Sequence, residues 1–425
     1  MRYLYCVLFY LALPYLFLRL LWRSRKNPEY RKRWSERLGY FPQKLEQSIW
    51  VHAASVGETL AAIPLIKALK AQYPEIPIVI TNMTVTGSAR TRAAFGDTVV
   101  HGYVPYDSPS AAKRFLKCIN PVTAIILETE LWPNLFAACH ARNIPLVVTN
   151  ARLSKKSAAG YQRIAKITRE MLGYISTLAV QTQVEANRFI ELGLPPSRAI
   201  VTGNIKFDIE VPADLAEKSK ALRQELGNNR LIWVVGSTHA GEEEIILAAH
   251  KQVREKFPNA LLLLAPRHPD RFNDVFTLVQ EQNLTAVRRS QQGVCTADTA
   301  VYLVDTMGEL LLMYSASDIA FVAGSFAMIG GHNMLEAAVL GKPVVTGPQL
   351  YNFAEISRSL QEAQGMFVVQ NADELAATII RLFADENYRL GIGENARRFV
   401  AGNRGALAKQ LQYTKILIDE KLQLA

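Results

Sequence analysis

The sequence predicts an α/β protein of two doubly wound halves placed behind an N-terminal membrane segment. Three observations carry that reading. Short β-rich runs alternate with longer helical patterns, the same rhythm restarts near the middle of the chain, and the first twenty-odd residues are almost purely apolar. At 425 residues, with 49% hydrophobic and 20% charged residues, the chain has the length for two or three domains and the composition to bury large cores. Disordered, collagen-like and low-complexity classes are excluded.

The N-terminal element comes first. From Tyr3 to Trp22, eighteen of twenty residues are apolar or aromatic, the exceptions being Pro14 and Arg19. Roughly 20 such residues suffice to cross a bilayer core as a helix. No small-residue cleavage site follows, so the segment reads as an uncleaved anchor. Residues 1–33 hold eight basic groups (Arg2, Arg19, Arg23, Arg25, Lys26, Arg31, Lys32 and Arg33) against the single acid Glu29. The remainder of the chain, with 40 basic and 37 acidic residues, is nearly balanced, although the whole carries +10. The basicity therefore belongs to a collar facing anionic headgroups on the cytoplasmic side, and a nucleic-acid partner is not expected. Pro14 and Arg19 leave open whether the helix spans the bilayer or lies in one leaflet.

Strands are expected at 48–53, 76–81, 123–127, 144–149, 177–181 and 199–202, each followed by a helical stretch. A second series follows at 231–235, 260–264, 300–304, 319–323 and 343–346. The periodicity breaks between Phe207 and Ala216, which divides the chain into an anchor (1–33), a first domain (34–208) and a second (209–425). Facing halves of this kind place their strand C-terminal ends on a shared cleft, where α/β proteins bind ligands.

Several chemistries are excluded. No G-x-x-x-x-G-K-[ST] loop and no G-x-G-x-x-G after a strand is present, and neither HExxH nor an Asp-x-Asp pair occurs. Cys6, Cys118, Cys139 and Cys295 are too scattered for a disulfide framework or a CxxC metal site. No metal and no cofactor is expected. A group transfer remains, in which cationic side chains and helix N-termini stabilise a departing phosphate.

Polar segments that follow strands supply the candidates. Arg267 and His268 follow the apolar run Leu261–Leu264, and a guanidinium there grips a phosphate or pairs with a surface carboxylate. Gly330-Gly331-His332-Asn333 precedes a helical run whose free N–H groups suit an anion, Ser237 and Thr238 open another helix, and Met307-Gly308-Glu309 a third. In the first half, Ser55-Val56-Gly57-Glu58 matches a capping box, in which Glu58 bonds back to the Ser55 N–H, and equally offers a carboxylate for catalysis. Glu128 and Glu130 share a face if their strand continues, whereas irregular backbone separates their roles.

Taken together and in order, His52–Glu58, Glu128–Asn134, Asn150–Ser154, Gly203–Asp208, Pro266–His268, Asp305–Leu310 and Gly330–Glu336 resemble the motifs of the 3-deoxy-D-manno-octulosonic acid (Kdo) transferases of lipopolysaccharide assembly. The resemblance covers essentially the whole chain. It implies a GT-B glycosyltransferase fold and an inverting transfer of Kdo from CMP-Kdo to a lipid A precursor, lipid IVA, at the cytoplasmic face of the cell inner membrane. It further implies Glu58 as general base, with Glu130 and Lys206 stabilising the transition state. CMP contacts would come from Pro266 and Arg267, from Met307, Gly308 and Glu309, and from Asn333, Met334, Leu335 and Glu336. The family often has proline where Met334 stands, which removes a preset φ at that helix start. Two rivals share the architecture: a sugar-nucleotide epimerase, and a membrane-tethered nucleotide sensor without turnover.

Overall fold

The computed structural model describes residues 2–25 and 27–423; Lys26, one of the expected collar cations, lies outside them. The chain forms two compact units, one comprising Met1–Asp208 with Arg404–Ala425 and the other Ile209–Asn403.

The first unit is built on a parallel sheet of seven strands. They are β1 (Ser48–His52), β2 (Ile78–Asn82), β3 (Val100–Tyr103), β4 (Pro121–Leu127), β5 (Leu146–Ala151), β6 (Thr177–Val180) and β7 (Ala199–Val201), in the order β3-β2-β1-β4-β5-β6-β7. Every residue of β1, β2 and β4 is buried, because helices cover both faces and strands of such sheets read as continuous apolar runs. The pleat sorts β1 between two cores. Ile49 and Val51 pack with Leu65, Ile66 and Ile125, while Trp50 packs with Phe115, Phe136 and Leu172 on the other side. Buried Trp50 satisfies its indole N–H on Thr81 Oγ1 at 2.9 Å.

The second unit repeats the plan with β8 (Ile232–Thr238), β9 (Leu261–Pro266), β10 (Ala286–Arg288), β11 (Val301–Leu303), β12 (Ile319–Val322), β13 (Val344–Thr346) and β14 (Met366–Val368). Their order is β10-β11-β9-β8-β12-β13-β14, again all parallel. Its first strand also buries a tryptophan: Trp233 donates to His250 Nδ1 at 3.0 Å, and His250 Nε2 meets Ala300 O at 2.8 Å. Full burial pushes His250 down to about 3, so the ring stays neutral and holds one tautomer between its two partners.

Three strands lie outside the periodicity reading: β3, β10 and β14. All three are sheet edges of three or four residues, and two contain or end in polar side chains, as edge strands do. The C-terminal segment also corrects the sequence reading, which placed residues 209–425 together. The helix Ala406–Gln423 buries Ile418 in the core of the first unit, and Asp208 accepts from the Gly405 and Leu407 N–H groups at 2.6 Å each. An amphipathic pattern states that a helix must be covered but does not state by which sheet.

The N-terminal helix α1 (Arg2–Arg23) is long and apolar enough to cross a membrane. It packs along the first unit, with Phe17 against Trp34 and Tyr106 at ring separations of 5.1 and 5.6 Å.

Candidate active site

In a doubly wound sheet the strand order reverses at one point, and loops leaving the two strands there in opposite directions open a crevice. In the first unit that point lies between β1 and β4. Glu58 follows β1, and Glu128 and Glu130 follow β4, so chain topology alone gathers the acidic candidates.

Glu58 occupies the third position of the helix Val56–Gln72, whose N-cap is Ser55. Its backbone N–H bonds Ser55 Oγ at 3.3 Å, and the Ser55 hydroxyl donates to Oε1 at 2.8 Å. The reciprocal bond differs from the expected one: Oε2 accepts from the N–H of Ala54, at 2.7 Å, not from Ser55. The cap is therefore real, yet it does not exhaust the carboxylate. Burial raises Glu58 to about 7, reinforced by Glu130 and Glu128 and opposed by the bonds from Ser55 and Ala54. Behind it, His52 is fully buried, pushed down to about 4 by desolvation, and fixed through Nδ1 to Thr81. His52 is therefore a neutral core residue at the end of β1.

β4 ends at Leu127, and Glu128 then adopts a left-handed φ of 55°. That turn separates the two carboxylates. Glu128 faces Arg152 Nε at 3.2 Å and Lys206 Nζ at 3.9 Å, whereas Glu130 accepts from Trp132 Nε1 at 3.1 Å. Glu130 is raised by burial and then by Glu128. Lys206 is lowered by burial, against the pull of Glu128 and Glu58. It sits on the short turn Ile205–Phe207 after β7, where Asn204 Oδ1 accepts its N–H and Asn150 Oδ1 accepts the N–H of Ile205. Glu58, Glu130 and Lys206 thus converge, and Glu128, which the motif contains but the role assignment passed over, is the anion that ties Lys206 into the group.

In the second unit the reversal lies between β8 and β12. Pro266 ends β9, and the Arg267 N–H bonds Thr238 O at 3.0 Å, leaving the guanidinium exposed. Among the described residues it makes no ion pair with a carboxylate within 4 Å, so the surface-pairing alternative loses support. Asn333 Oδ1 accepts from the Leu335 N–H and its amide donates to Glu336 Oε1, both at 3.2 Å. Glu336 is raised by burial, and Arg267 works against that shift. Met334 and Leu335 are fully buried, so their side chains serve the core and only their backbone is available to a ligand. Met334 has φ −77°, close to the value proline imposes, so the substitution leaves the local backbone as it would be.

Two expectations need correction here. The helix after Asn333 spans only Leu335–Ala338, and its first N–H is already taken by Asn333, so it offers little free dipole to an anion. Ser237 and Thr238 do not open a helix: β8 continues through Thr238 and the next helix starts at Glu242. Met307, Gly308 and Glu309 do form a turn into the helix Leu310–Ala316, with Gly308 at φ 85°. Glu309 is held below its usual range by Arg289 and lines a cavity of about 870 Å³ with Arg289, Tyr302, Thr306 and Val294. Pro266, Arg267 and Asn333 are not among the residues lining that cavity.

A histidine pair was missed. His239 Nε2 and His332 Nε2 lie 2.9 Å apart with stacked rings, and His268 packs edge-on to His239. Such a contact requires one ring to donate and the other to accept. Burial, then His239 and Arg267, holds His332 down to about 4. Buried Glu242 fixes both flanks, accepting from His239 N and from the N–H groups of Gly324, Ser325 and Phe326 at 2.8–3.0 Å. No sequence spacing announces this pair, because its members lie 93 residues apart.

Residues 32–209 match the family model described as 3-deoxy-D-manno-octulosonic-acid transferase, and residues 229–399 match glycosyl transferases group 1. The chain is 41% identical to the 3-deoxy-D-manno-octulosonic acid transferase of Haemophilus influenzae, over 99% of this chain and all of the relative. It is 34% identical to that of Bordetella pertussis over 87% of each. Among solved structures, the UDP-GlcNAc 2-epimerase of Neisseria meningitidis, bound to UDP-GlcNAc, is similar in fold alone, with a TM-score of 0.56, 15% identity and coverage of 87% of this chain and 100% of that one. The two seven-stranded parallel sheets are thus those of a GT-B-like glycosyltransferase, and the chain belongs to the 3-deoxy-D-manno-octulosonic acid transferase family.

Proposed function

We propose that the protein transfers Kdo from CMP-Kdo to a lipid A precursor, lipid IVA, with inversion at the anomeric carbon and without a metal ion, at the cytoplasmic face of the inner membrane. The observation that carries this reading is Glu58: a buried carboxylate near neutral pKa, at the β1–β4 reversal, beside a second raised acid and a lysine.

Glu58 accepts the proton of an acceptor hydroxyl as that oxygen forms its bond to the anomeric carbon. The bond from that carbon to the phosphate oxygen breaks, and CMP leaves with the electron pair. One base acting on the acceptor, with displacement in a single step, gives inversion. Glu130 and Lys206 stabilise the charge that develops: the carboxylate faces the oxocarbenium-like carbon, and Lys206, tethered by Glu128, offers a cation to the Kdo carboxylate. In the second unit, Arg267 grips the CMP phosphate. Pro266, the turn Met307–Glu309, and Asn333 and Glu336 with the backbone of Met334 and Leu335 hold the nucleotide. The left-handed conformation of Gly308 and the exposed guanidinium of Arg267 support this use.

The test is transfer from CMP-Kdo to tetraacylated lipid A precursor in detergent with EDTA present, lipid products being followed by mass spectrometry. Mass increments of Kdo support the proposal, and their number reports how many residues are added. Folded, CMP-binding protein that yields no product, or that releases an epimerised sugar nucleotide, overturns it.

A further inference from the structure

The helix α1 is two-faced. Leu4, Val7, Leu8, Leu11, Tyr15, Leu18 and Trp22 recur at three- and four-residue spacing and are all exposed, Leu11 at 73%. The opposite face is tied down by polar contacts. Arg2 Nη1 reaches Glu170 at 2.9 Å and Tyr174 at 3.0 Å, the Tyr5 hydroxyl donates to Asp107 at 3.0 Å, Cys6 Sγ meets Asn134 Oδ1 at 3.2 Å, and Tyr10 meets Ser110 at 3.0 Å. A helix crossing a bilayer is wetted by lipid all round, and crossing would carry Arg2, Tyr5 and Cys6 away from these partners. The exposed cations Arg19, Arg23, Arg25, Arg31 and Lys32 cluster at the C-terminal end of the same helix and just beyond it.

We propose that α1 lies in the plane of a single leaflet, its exposed stripe in the acyl layer, and that the occupant of this face is a bilayer surface bearing anionic headgroups. The cations at its end complement those headgroups. A soluble partner protein is disfavoured by the shape of the stripe, one helix wide and running from Leu4 to Trp22, with exposed Tyr3 beside one end and Trp22 at the other, as interfacial helices have.

The placement has a consequence for the reaction and to that extent rests on the reading above. Asp107 also accepts from the N–H groups of Asn134 and Leu135, at 3.0 and 2.8 Å, at the start of the helix Pro133–His140. That helix begins three residues after Glu130, whose partner Trp132 lies between. The lipid-facing helix is thereby latched to the segment carrying Glu130, and docking in the leaflet plane brings that carboxylate to the level of an acceptor's headgroup.

The test uses the full chain with a short protease-sensitive tag ahead of Met1 and another after Ala425. In intact spheroplasts both tags are protected, and in inverted membrane vesicles both are cut; an N-terminal tag cut in intact spheroplasts overturns the proposal. In parallel, Leu11→Glu with Leu18→Glu lowers sedimentation with vesicles of phosphatidylethanolamine and phosphatidylglycerol by at least about tenfold. Unchanged circular dichroism and CMP binding establish that the variant is folded. Arg23→Gln lowers binding roughly fivefold on these vesicles and leaves it unchanged on phosphatidylcholine. Unchanged vesicle binding of the double variant, or a detergent-free dimer that it converts to monomer, refutes the lipid occupant. Neither readout needs turnover: loss of transfer with intact vesicle binding counts against the functional reading, and loss of vesicle binding with intact transfer in detergent does not.

Discussion

Replacing Glu58 by glutamine separates a catalytic base from a helix cap. The amide reproduces the neutral carboxyl: its oxygen accepts from Ala54 N–H and its NH₂ donates to the Ser55 hydroxyl, so the capping geometry survives. Stability supplies the first magnitude. The folded pKa is raised to about 7 from 4.5, chiefly by burial, so the folded state binds a proton more tightly than the unfolded chain. Stability is therefore full below about pH 4.5 and is lost as pH rises through 7, the ionised group costing about 3 kcal/mol at its limit. Glu58→Gln removes this cost. Urea unfolding should find the variant and the wild type equally stable at about pH 4, and the variant more stable by about 3 kcal/mol at about pH 8. Activity moves the other way. A base must be ionised, so wild-type kcat/KM should rise with pH through about 7, while Glu58→Gln should lose roughly 100- to 10,000-fold of transfer at every pH with CMP affinity unchanged. Transfer from CMP-Kdo across about pH 5.5 to 8.5, with calorimetric titration of CMP, reads both. A variant of wild-type activity would reduce Glu58 to a cap, and a flat wild-type pH profile would sink the assigned ionisation.

Three further outcomes follow from the same geometry. Lys206→Gln leaves Glu128 with Arg152 alone and should depress kcat by at least about tenfold with little change in CMP affinity; a pure KM effect in steady-state transfer would instead place Lys206 in ground-state binding. Arg267→Ala should weaken CMP binding about 10- to 100-fold in calorimetry, the worth of one or two charged hydrogen bonds, and unchanged affinity would remove it from the phosphate site. Gly324→Ala places a methyl 2.8 Å from the His332 ring at φ +72°, and should destabilise the second unit by about 1–3 kcal/mol in thermal unfolding. If that variant melts like the wild type, the His239–His332 pair is not held as described.

The central strands were legible because two covered faces demand apolar residues at successive positions, as Ile49–Val51 and Leu261–Leu264 supply. Glu58, Glu128, Glu130 and Arg267 were legible because they follow the C-terminal ends of such strands, where a parallel sheet exposes its loops. Their roles were not. Glu128 and Glu130 are two residues apart in sequence, and only the left-handed turn at Glu128 sends one to Lys206 and Arg152 and the other to Trp132. The edge strands β3, β10 and β14 escaped notice because three or four residues, partly exposed, are too few for a pattern to form, although the edge strand β7 was expected.

By itself, the sequence determined two parallel α/β units, an apolar first helix with a basic end, and the order of motifs along the chain. Those properties follow from local propensity and from the period at which side chains must be buried, which each segment carries within itself. Tertiary structure decided which strands stand side by side at the two order reversals, that the helix Ala406–Gln423 returns to the first sheet, that His239 meets His332, and which face of α1 is tied down. Each of these is a choice of partner between segments far apart in the chain. It is settled by the joint free energy of burying them together, a quantity that no segment encodes alone.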